Sequence, residues 1–226
     1  SFLQTVMELR SKHPEAGMYA TAYLIDLAGK RERPAFDVET ESDDSGIMVS
    51  YFRAAVTTNP VCASAVMIPK WIFEKTGGFP ENLRRGEDLF TWAKIAAEFP
   101  VAWSSDIGAV YFHTAMNRAC TNKWIGEDVA GAEFLDNLLI SDANDHLDRQ
   151  SIKEYLEIRR LRTIQTCVMQ GDRVIARRIM RKATSSGAFA KERFKTWLYL
   201  LVPLRVIHLV QVMKELILKR NRVPGS

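Results

Sequence analysis

The sequence predicts an α/β fold in its first half and an all-helical extension in its second half. Apolar runs at 18–25 and 62–68 are typical of buried strands, and apolar residues at helical spacing accompany them at 2–12 and 87–99. From residue 151 onward the apolar residues recur at helical spacing. The 226 residues, 47% of them hydrophobic, are enough to bury a substantial core.

The pattern predicts a definite order of elements. In the first half we expect a helix at 2–12, a strand at 18–25, and a polar loop at 31–44 with a solvated turn at Asp43-Asp44. A helix at 47–56, a strand at 62–68 and a short helix at 71–73 should follow. We then expect a helix from 87 to 99 and strands at 101–104 and 109–112 around a turn at 106–108. In the second half we expect a helix through 132–139, an acidic linker at 142–148, helices at 151–169 and 173–182, and an apolar segment at 196–218.

Charge divides the chain unevenly. The net charge is +4, but residues 151–226 contain 17 Lys+Arg against 5 Asp+Glu, and residues 1–150 contain 14 against 22. This asymmetry predicts a boundary near residue 145. The three cysteines, at 62, 120 and 167, are odd in number, far apart and without partners at metal-ligand spacing, so we expect free thiols in a reducing compartment such as the cytoplasm.

The most informative stretch runs from residue 62 to residue 117. Its apolar run is followed by a hard turn at Gly77-Gly78-Phe79-Pro80, because glycine allows unusual backbone angles and proline stops a helix. Gly86-Glu87-Asp88 then precedes an amphipathic helix whose apolar side is Leu89, Trp92, Ala93, Ala96 and Phe99. Two carboxylates are therefore predicted at a helix N-terminus.

These pieces, in this order, resemble family 2 of the inverting nucleotide-sugar glycosyltransferases. The matching segments are Gly77-Gly78-Phe79-Pro80-Glu81, Gly86-Glu87-Asp88, Trp92 to Ala96, Pro100-Val101 and Tyr111 to Asn117. The opening residues, from Phe2 through Tyr23-Leu24-Ile25-Asp26 to Gly29-Lys30, also resemble the segment that follows the DxD motif in this family. The resemblance covers roughly residues 2 to 117.

The resemblance implies the C-terminal half of a GT-A (Rossmann-like) domain. It divides the chain into an acceptor-side part at 1–117 and a helical extension at 118–226. Family members carry a nucleotide-binding half with a metal-binding DxD ahead of this region, so we expect the chain to be a C-terminal fragment that is inactive by itself. A divalent metal, Mg²⁺ or Mn²⁺, is expected in the complete enzyme.

The implied chemistry is transfer of a sugar from a nucleotide donor to the hydroxyl of a glycan or lipid-linked acceptor, with inversion. By position, Asp88 is the expected base and Glu87 its neighbour, which binds the acceptor or orients the helix. His113 is a candidate for the diphosphate and metal side, with a strand-end histidine bonded to a neighbouring carbonyl as the alternative. The expected acceptor-binding residues are Trp71, Gly86, Thr58 and Asn59, although 58–59 is equally interpretable as a polar loop beside a core strand.

Two other features bear on function. A second Gly-Glu-Asp at 126–128 lacks the preceding Gly-Gly-Phe turn, so its acidic residues are interpreted as complementing a helix dipole. Thr196 to Arg222 is apolar on one face and basic at its end, with uncharged runs of nine and eight residues that are too short to span a bilayer. We expect it either to bind an anionic membrane surface, peripherally on the inner face of the cell membrane, or to pack on its own domain or on a partner subunit of a homo-oligomer.

Two function classes compete with the glycosyltransferase. One is a non-enzymatic, membrane-associated adaptor in which the apparent site only supports the fold. The other is nucleic-acid binding through the basic tail, which ranks third because aliphatic rather than aromatic residues separate its arginines. We therefore expect no nucleic-acid partner.

Overall fold

The computed structural model describes residues 1–42, 44–81, 83, 85–114, 129–141, 148–207, 209 and 213. The helices are α1 (Phe2–Lys12), α2 (Tyr51–Thr57), α3 (Lys70–Lys75), α4 (Glu87–Glu98), α5 (Ala132–Ile140), α6 (Arg149–Met169), α7 (Arg173–Lys182) and α8 (Ala190–Leu201). The strands are β1 (Met18–Leu27), β2 (Lys30–Glu32), β3 (Ser45–Ile47), β4 (Val66–Met67) and β5 (Val101–Phe112). The chain is a mixed α/β protein, as the sequence predicts.

A single mixed sheet organises the first half of the chain. Its strand order is β2-β1-β5-β3, and β4 pairs with β1 on the same edge as β2. The central strands β1 and β5 are parallel, whereas β2, β3 and β4 join as antiparallel strands. The carboxyl ends of β1 and β5 lie side by side, with Asp26 opposite Phe112.

The sheet is covered on both faces. Alternate residues of a strand point to opposite faces. Tyr19 and Ala102 pack in one cluster with Val6 and Leu9 of α1. The larger cluster lies on the other face and contains Met18, Ala20, Ala22, Tyr51, Phe52, Trp92, Ile95 and Trp103 among its buried members. Helix α4 therefore packs against the same face of the sheet as α2.

Two strand predictions are wrong. The turn expected at 106–108 does not form, because β5 continues from Val101 to Phe112. Its pairing with β1 shifts register between residues 104 and 109. Residues 62–68 are not a full strand either: a 3-10 turn at Ala63–Ala65 is followed by the two-residue strand β4. In both places the pairing partner, rather than local composition, decides the conformation.

The helix expected at 47–56 begins later than predicted. Ser45–Ile47 pairs with β5, and α2 starts at Tyr51, where the Ser50 side chain accepts a hydrogen bond from the Arg53 N–H. Serine is a favoured N-cap because its oxygen satisfies a backbone donor of the first turn. The polar loop at 31–44 is also shorter than expected, since Lys30–Glu32 forms β2.

The chain divides into two compact units, Ser1–Leu156 and Glu157–Ser226, and the division falls inside α6. The predicted boundaries at residue 117 and near residue 145, and most of the linker expected at 142–148, lie outside the described residues. In the second unit, the Arg160 guanidinium is buried and donates to the Lys182 carbonyl at 3.0 Å, joining α6 to the end of α7.

Helices α7 and α8 of the second unit run in opposite directions. Arg173 at the start of α7 donates to the Leu200 carbonyl at the end of α8, and Arg193 near the start of α8 donates to the Ala183 carbonyl just after α7. Among the described residues, no helix has both the length and the apolar content needed to cross a membrane.

Candidate functional site

The Gly86-Glu87-Asp88 motif forms the beginning of α4. Gly86 is its N-cap residue and has a left-handed backbone, with φ 78° and ψ 14°. A Cβ atom at Gly86 would lie 3.2 Å from the Cβ of Ala130, so the position is both conformationally and sterically suited to glycine. Glu87 and Asp88 occupy the first turn, where the helix dipole favours negative charge. Both carboxylates are half-buried.

The Asp88 carboxylate interacts electrostatically with Cys62, which belongs to the segment leading into β4. The Oδ1 atom of Asp88 accepts the Leu89 N–H at 2.7 Å. Burial raises the pKa of the Cys62 thiol, hydrogen bonding to Ser64 partly offsets this effect, and the Asp88 carboxylate raises that pKa further. The start of α4 is therefore coupled electrostatically to the segment before β4.

Tyr23 connects this corner to the carboxyl end of the sheet. Burial, together with smaller effects of Cys62 and Tyr111, raises the pKa of Tyr23 to about 12. Its hydroxyl therefore stays protonated at neutral pH, and it donates to the Asn59 carbonyl at 3.0 Å. Electrostatic interactions thus connect Tyr23 with Cys62 and Tyr111, and Cys62 with Asp88; we call these four side chains the Tyr23–Asp88 group.

Asn59 anchors the loop after α2. Its side-chain nitrogen donates to the Val61 carbonyl at 2.7 Å, and its side-chain oxygen accepts the Tyr51 hydroxyl at 3.4 Å. Both ends of the Asn59 amide are therefore engaged within the protein. Thr58, the C-cap residue of α2, is half-buried with an extended backbone. The loop at 58–59, which is predicted to bind the acceptor, therefore lies beside Tyr23.

His113 follows β5 and is exposed. Its backbone N–H donates to the Asp26 carbonyl at 2.9 Å, and its ring packs edge-on against Tyr111 at 5.4 Å between centroids. The Tyr111 ring links it to Tyr23. His113 therefore lies at the carboxyl end of β5 beside Tyr111, and its role towards a diphosphate or metal stays a prediction.

The metal predicted at His113 does not have a complete ligand set in the described part of the chain. Within that part, no group of three or more His, Cys, Asp and Glu residues is suited to hold a metal ion. The nearby Asp26 carboxylate is already engaged, since it accepts the Gly29 N–H at 2.9 Å and lies 3.5 Å from the Arg31 Nε. A metal ion at His113 therefore stays a prediction, and no chemical step is routed through it.

Trp71 lies apart from the other predicted site residues. Its ring packs edge-on against Phe99, 5.8 Å between centroids, at the C-terminal end of α4. At 1.5 Å per residue, Phe99 is about 16 Å along the helix from Asp88. Trp71 instead lines a surface pocket of about 500 Å³ with Arg10, Lys70 and Glu74. The structure therefore places Trp71 near the C-terminal end of α4, whereas Glu87 and Asp88 lie at the N-terminal end of that helix.

Sequence reasoning missed three members of the group: Tyr23, Cys62 and Tyr111. A usable signal was present, because Tyr23 and Tyr111 occupy late positions in strands β1 and β5, and ligands bind preferentially beyond the carboxyl ends of parallel strands. Cys62 carried no such signal. The second Gly-Glu-Asp, at 126–128, lies outside the described residues. In the segment from Thr196 to Arg222, most residues beyond 207 also lie outside them.

Comparisons of this chain with models of known protein families, with characterised proteins and with solved structures give no significant match.

Proposed function

We propose that this chain forms the acceptor side of an inverting glycosyltransferase of the GT-A type, with Asp88 as the catalytic base. The observation that carries this proposal is the position of the Asp88 carboxylate. It lies at the start of α4 and interacts electrostatically with Cys62, which in turn interacts with Tyr23 of β1. The order of motifs around it resembles that of family 2 glycosyltransferases.

The proposed reaction needs one proton acceptor on the acceptor side. The hydroxyl of a glycan or lipid-linked acceptor gives its proton to the Asp88 carboxylate, and the hydroxyl oxygen attacks the anomeric carbon of a nucleotide sugar. The bond from that carbon to the nucleotide diphosphate breaks, and the diphosphate departs with the bonding electrons. Attack opposite to the leaving group inverts the anomeric centre, through a transition state like that of glycoside hydrolysis.

The surroundings of Asp88 suit this role. The positive end of the α4 dipole stabilises an ionised carboxylate, which a base must be before it accepts a proton. The neutral Tyr23 hydroxyl donates to the Asn59 carbonyl and so fixes the loop after α2, which would border the bound acceptor. His113 lies at the same end of the sheet, where an imidazolium would stabilise negative charge that develops on a departing diphosphate.

The test is Asp88→Asn in the full-length polypeptide that contains this chain, with sugar transfer from a panel of nucleotide sugars as the readout. Loss of a general base lowers the rate by roughly 10²–10⁴-fold. Asparagine keeps the size of the side chain and is well tolerated at helix starts, so the melting temperature should hold.

Glu133→Gln is the matched control. Glu133 is exposed and occupies the same position in α5 that Asp88 occupies in α4, two residues after a left-handed glycine N-cap. The control should keep full activity. If Asp88→Asn and Glu133→Gln lose activity equally, or if Asp88→Asn lowers the melting temperature in step with turnover, Asp88 is not the base. A deeper loss in Glu87→Gln, with folding unchanged, would assign the base to Glu87.

A further inference from the structure

Helix α8 exposes an apolar stripe on one side. Phe194, Trp197 and Leu201 are 62%, 50% and 59% exposed, and Leu198 is exposed as well. These four residues have the spacing i, i+3, i+4 and i+7, which places them on one face of a helix. The opposite face carries Thr196 and Leu200, which are buried. The outward stripe is therefore more apolar than the side that packs into the unit.

The stripe is held outward by contacts on the buried side. The Gln165 amide donates to the Thr196 hydroxyl at 2.7 Å, and Arg193 donates to Glu157 at 2.8 Å, which fixes α8 against α6. Arg173 donates to the carbonyls of Leu200 and Val202 and fixes the end of α8 against α7. The four apolar side chains cannot turn inward without breaking these bonds, so the stripe is a built surface of the folded unit.

Positive charge borders the stripe. Lys191 and Lys195 are exposed and lie along one edge of it at helical spacing, and Arg205 is exposed just beyond Pro203. Between Arg173 and Ile207 the sequence has nine Lys or Arg residues and one carboxylate, Glu192. A partner for this face must therefore accept large apolar side chains and also carry negative charge.

We propose that α8 is an interfacial helix that binds the surface of an anionic lipid bilayer, with its axis in the plane of the membrane. Phe194, Trp197, Leu198 and Leu201 would enter the boundary between headgroups and acyl chains, while Lys191 and Lys195 contact anionic headgroups. A helix of this type has a strongly apolar face, a cationic border and an aromatic side chain, all of which α8 shows. Trp197 has the amphipathic ring that is enriched at membrane interfaces.

A second copy of the chain fits this face less well than a bilayer does. Two α8 stripes packed on each other would bring Lys191 and Lys195 of one copy towards the same lysines of the other, and like charges oppose association. Anionic lipid headgroups instead meet those lysines with opposite charge. Beyond α8, Val206, Leu209 and Met213 are exposed as well, at spacings of three and four residues. This placement revises the predicted membrane segment, since the exposed face begins before Thr196, and Thr196 itself is buried.

The test is sedimentation of the full chain with vesicles of phosphatidylglycerol and phosphatidylcholine, and with vesicles of phosphatidylcholine alone, at low and high salt. We expect binding to the anionic vesicles that weakens as salt rises. Lys191→Gln with Lys195→Gln should weaken the partition coefficient about 30-fold, because each cation near an anionic leaflet contributes about a fivefold gain. Trp197→Ser with Leu201→Ser should weaken it by at least about tenfold.

Val174→Ser with Ile140→Ser is the matched control, since both side chains are exposed, apolar and outside the stripe. The control should bind as the unaltered chain does. A second readout is the quenching of tryptophan fluorescence by brominated phosphatidylglycerol. It needs no polar substitution, since the quenching should be weaker in Trp197→Phe than in the unaltered chain.

Three results would overturn the proposal. The first is equal sedimentation of the stripe variants and the unaltered chain. The second is binding to phosphatidylcholine alone that matches binding to anionic vesicles at both salt levels. The third is absence of vesicle binding together with self-association that the stripe variants abolish, which would assign the face to a second copy of the chain.

Discussion

Glu157 and Arg193 form a buried ion pair inside the helical unit. The Nε and Nη2 atoms of Arg193 each lie 2.8 Å from Oε1 of Glu157, and the Glu157 side chain is completely shielded from solvent. The other carboxylate oxygen, Oε2, accepts the backbone N–H and the hydroxyl of Ser186, both at 2.6 Å. One carboxylate therefore joins α6, the segment between α7 and α8, and α8 itself.

Arg193→Met should destabilise this unit strongly. The substitution keeps most of the side-chain volume but leaves the Glu157 carboxylate buried without its counter-charge, which costs roughly 3 kcal/mol in the free energy of unfolding. Urea unfolding monitored by circular dichroism measures the effect. The exposed Arg177 on α7 provides the control, because Arg177→Met removes a positive charge that is in water and should change stability by less than about 0.5 kcal/mol. Equal losses would mean that the pair does not hold the unit together.

The same carboxylate predicts sensitivity to acid. Burial raises the pKa of Glu157, but the hydrogen bonds from Ser186 and Arg193 outweigh burial and lower that pKa below its ordinary value of 4.5. A group with a lowered pKa in the folded state stabilises the fold above its unfolded pKa, and this stabilisation is lost as pH falls through the folded pKa. Stability should therefore decline as pH falls below about 4.5.

The comparison for this prediction is Glu157→Gln, which cannot titrate. Its free energy of unfolding at neutral pH should be lower than that of the unaltered chain, because the charge-assisted bonds to Arg193 are lost. The difference between the two proteins should then shrink as the pH is lowered. A difference that stays constant from pH 7 to pH 3 would show that Glu157 does not contribute to the acid sensitivity.

The electrostatic interaction between Cys62 and Asp88 predicts a change in thiol reactivity. Because burial and the Asp88 carboxylate raise the pKa of Cys62, the thiol should react slowly with iodoacetamide at pH 8. Asp88→Asn removes the negative charge and should increase the Cys62 alkylation rate severalfold, as measured by peptide mass spectrometry. Cys167 is the internal control: it is buried, burial first and Asp172 second raise its pKa to about 11, and its rate should not change. An unchanged Cys62 rate would contradict the proposed proximity of the two side chains.

Substitution of Gly108 should disturb the packing between the central strands of the sheet. A Cβ atom there would lie 2.0 Å from the Thr21 Oγ1 and 2.8 Å from the Phe2 ring, so Gly108→Ala forces a shift that costs about 1–3 kcal/mol. Thermal unfolding measures this loss. Thr21→Ala removes the Oγ1 atom, which is buried without a hydrogen-bond partner among the described residues, so the double variant should recover part of the stability. If the two substitutions are simply additive, the close approach is not the cause.

Gly108 also shows why one part of the fold could not be predicted. Asp106-Ile107-Gly108 has the composition of a turn, so the sequence predicts a turn there. In the structure these residues continue β5, and the glycine is needed because the Thr21 side chain on the neighbouring strand comes close. A glycine in a strand often marks such a close approach, but only the pairing partner reveals it.

In the candidate site, too, some features depend on residues that are neighbours in sequence and others on residues that are distant in sequence. The carboxylates of Glu87 and Asp88 at a helix start could be predicted, because a glycine, two acidic residues and a helical apolar repeat are all local signals. Their neighbours Tyr23, Cys62 and Tyr111 are far apart in sequence, and no spacing between them indicates a common location. The distance between Trp71 and Asp88 also depends on how α3 and α4 pack.

The limits of several helices follow from local sequence signals alone. The predicted and observed bounds agree for α1, from Phe2 to Lys12, and for α7, from Arg173 to Lys182, and α4 begins at Glu87 as predicted. Helix limits depend on hydrogen bonds between residues three or four apart and on capping groups beside them, so the information is local. Contacts between distant parts of the chain, in contrast, are the reason that residues 101–112 form one strand, that residues 62–65 do not, and that α8 turns its apolar residues outward. Strand pairing and burial join residues that are distant in sequence, so they are settled only when the whole chain packs.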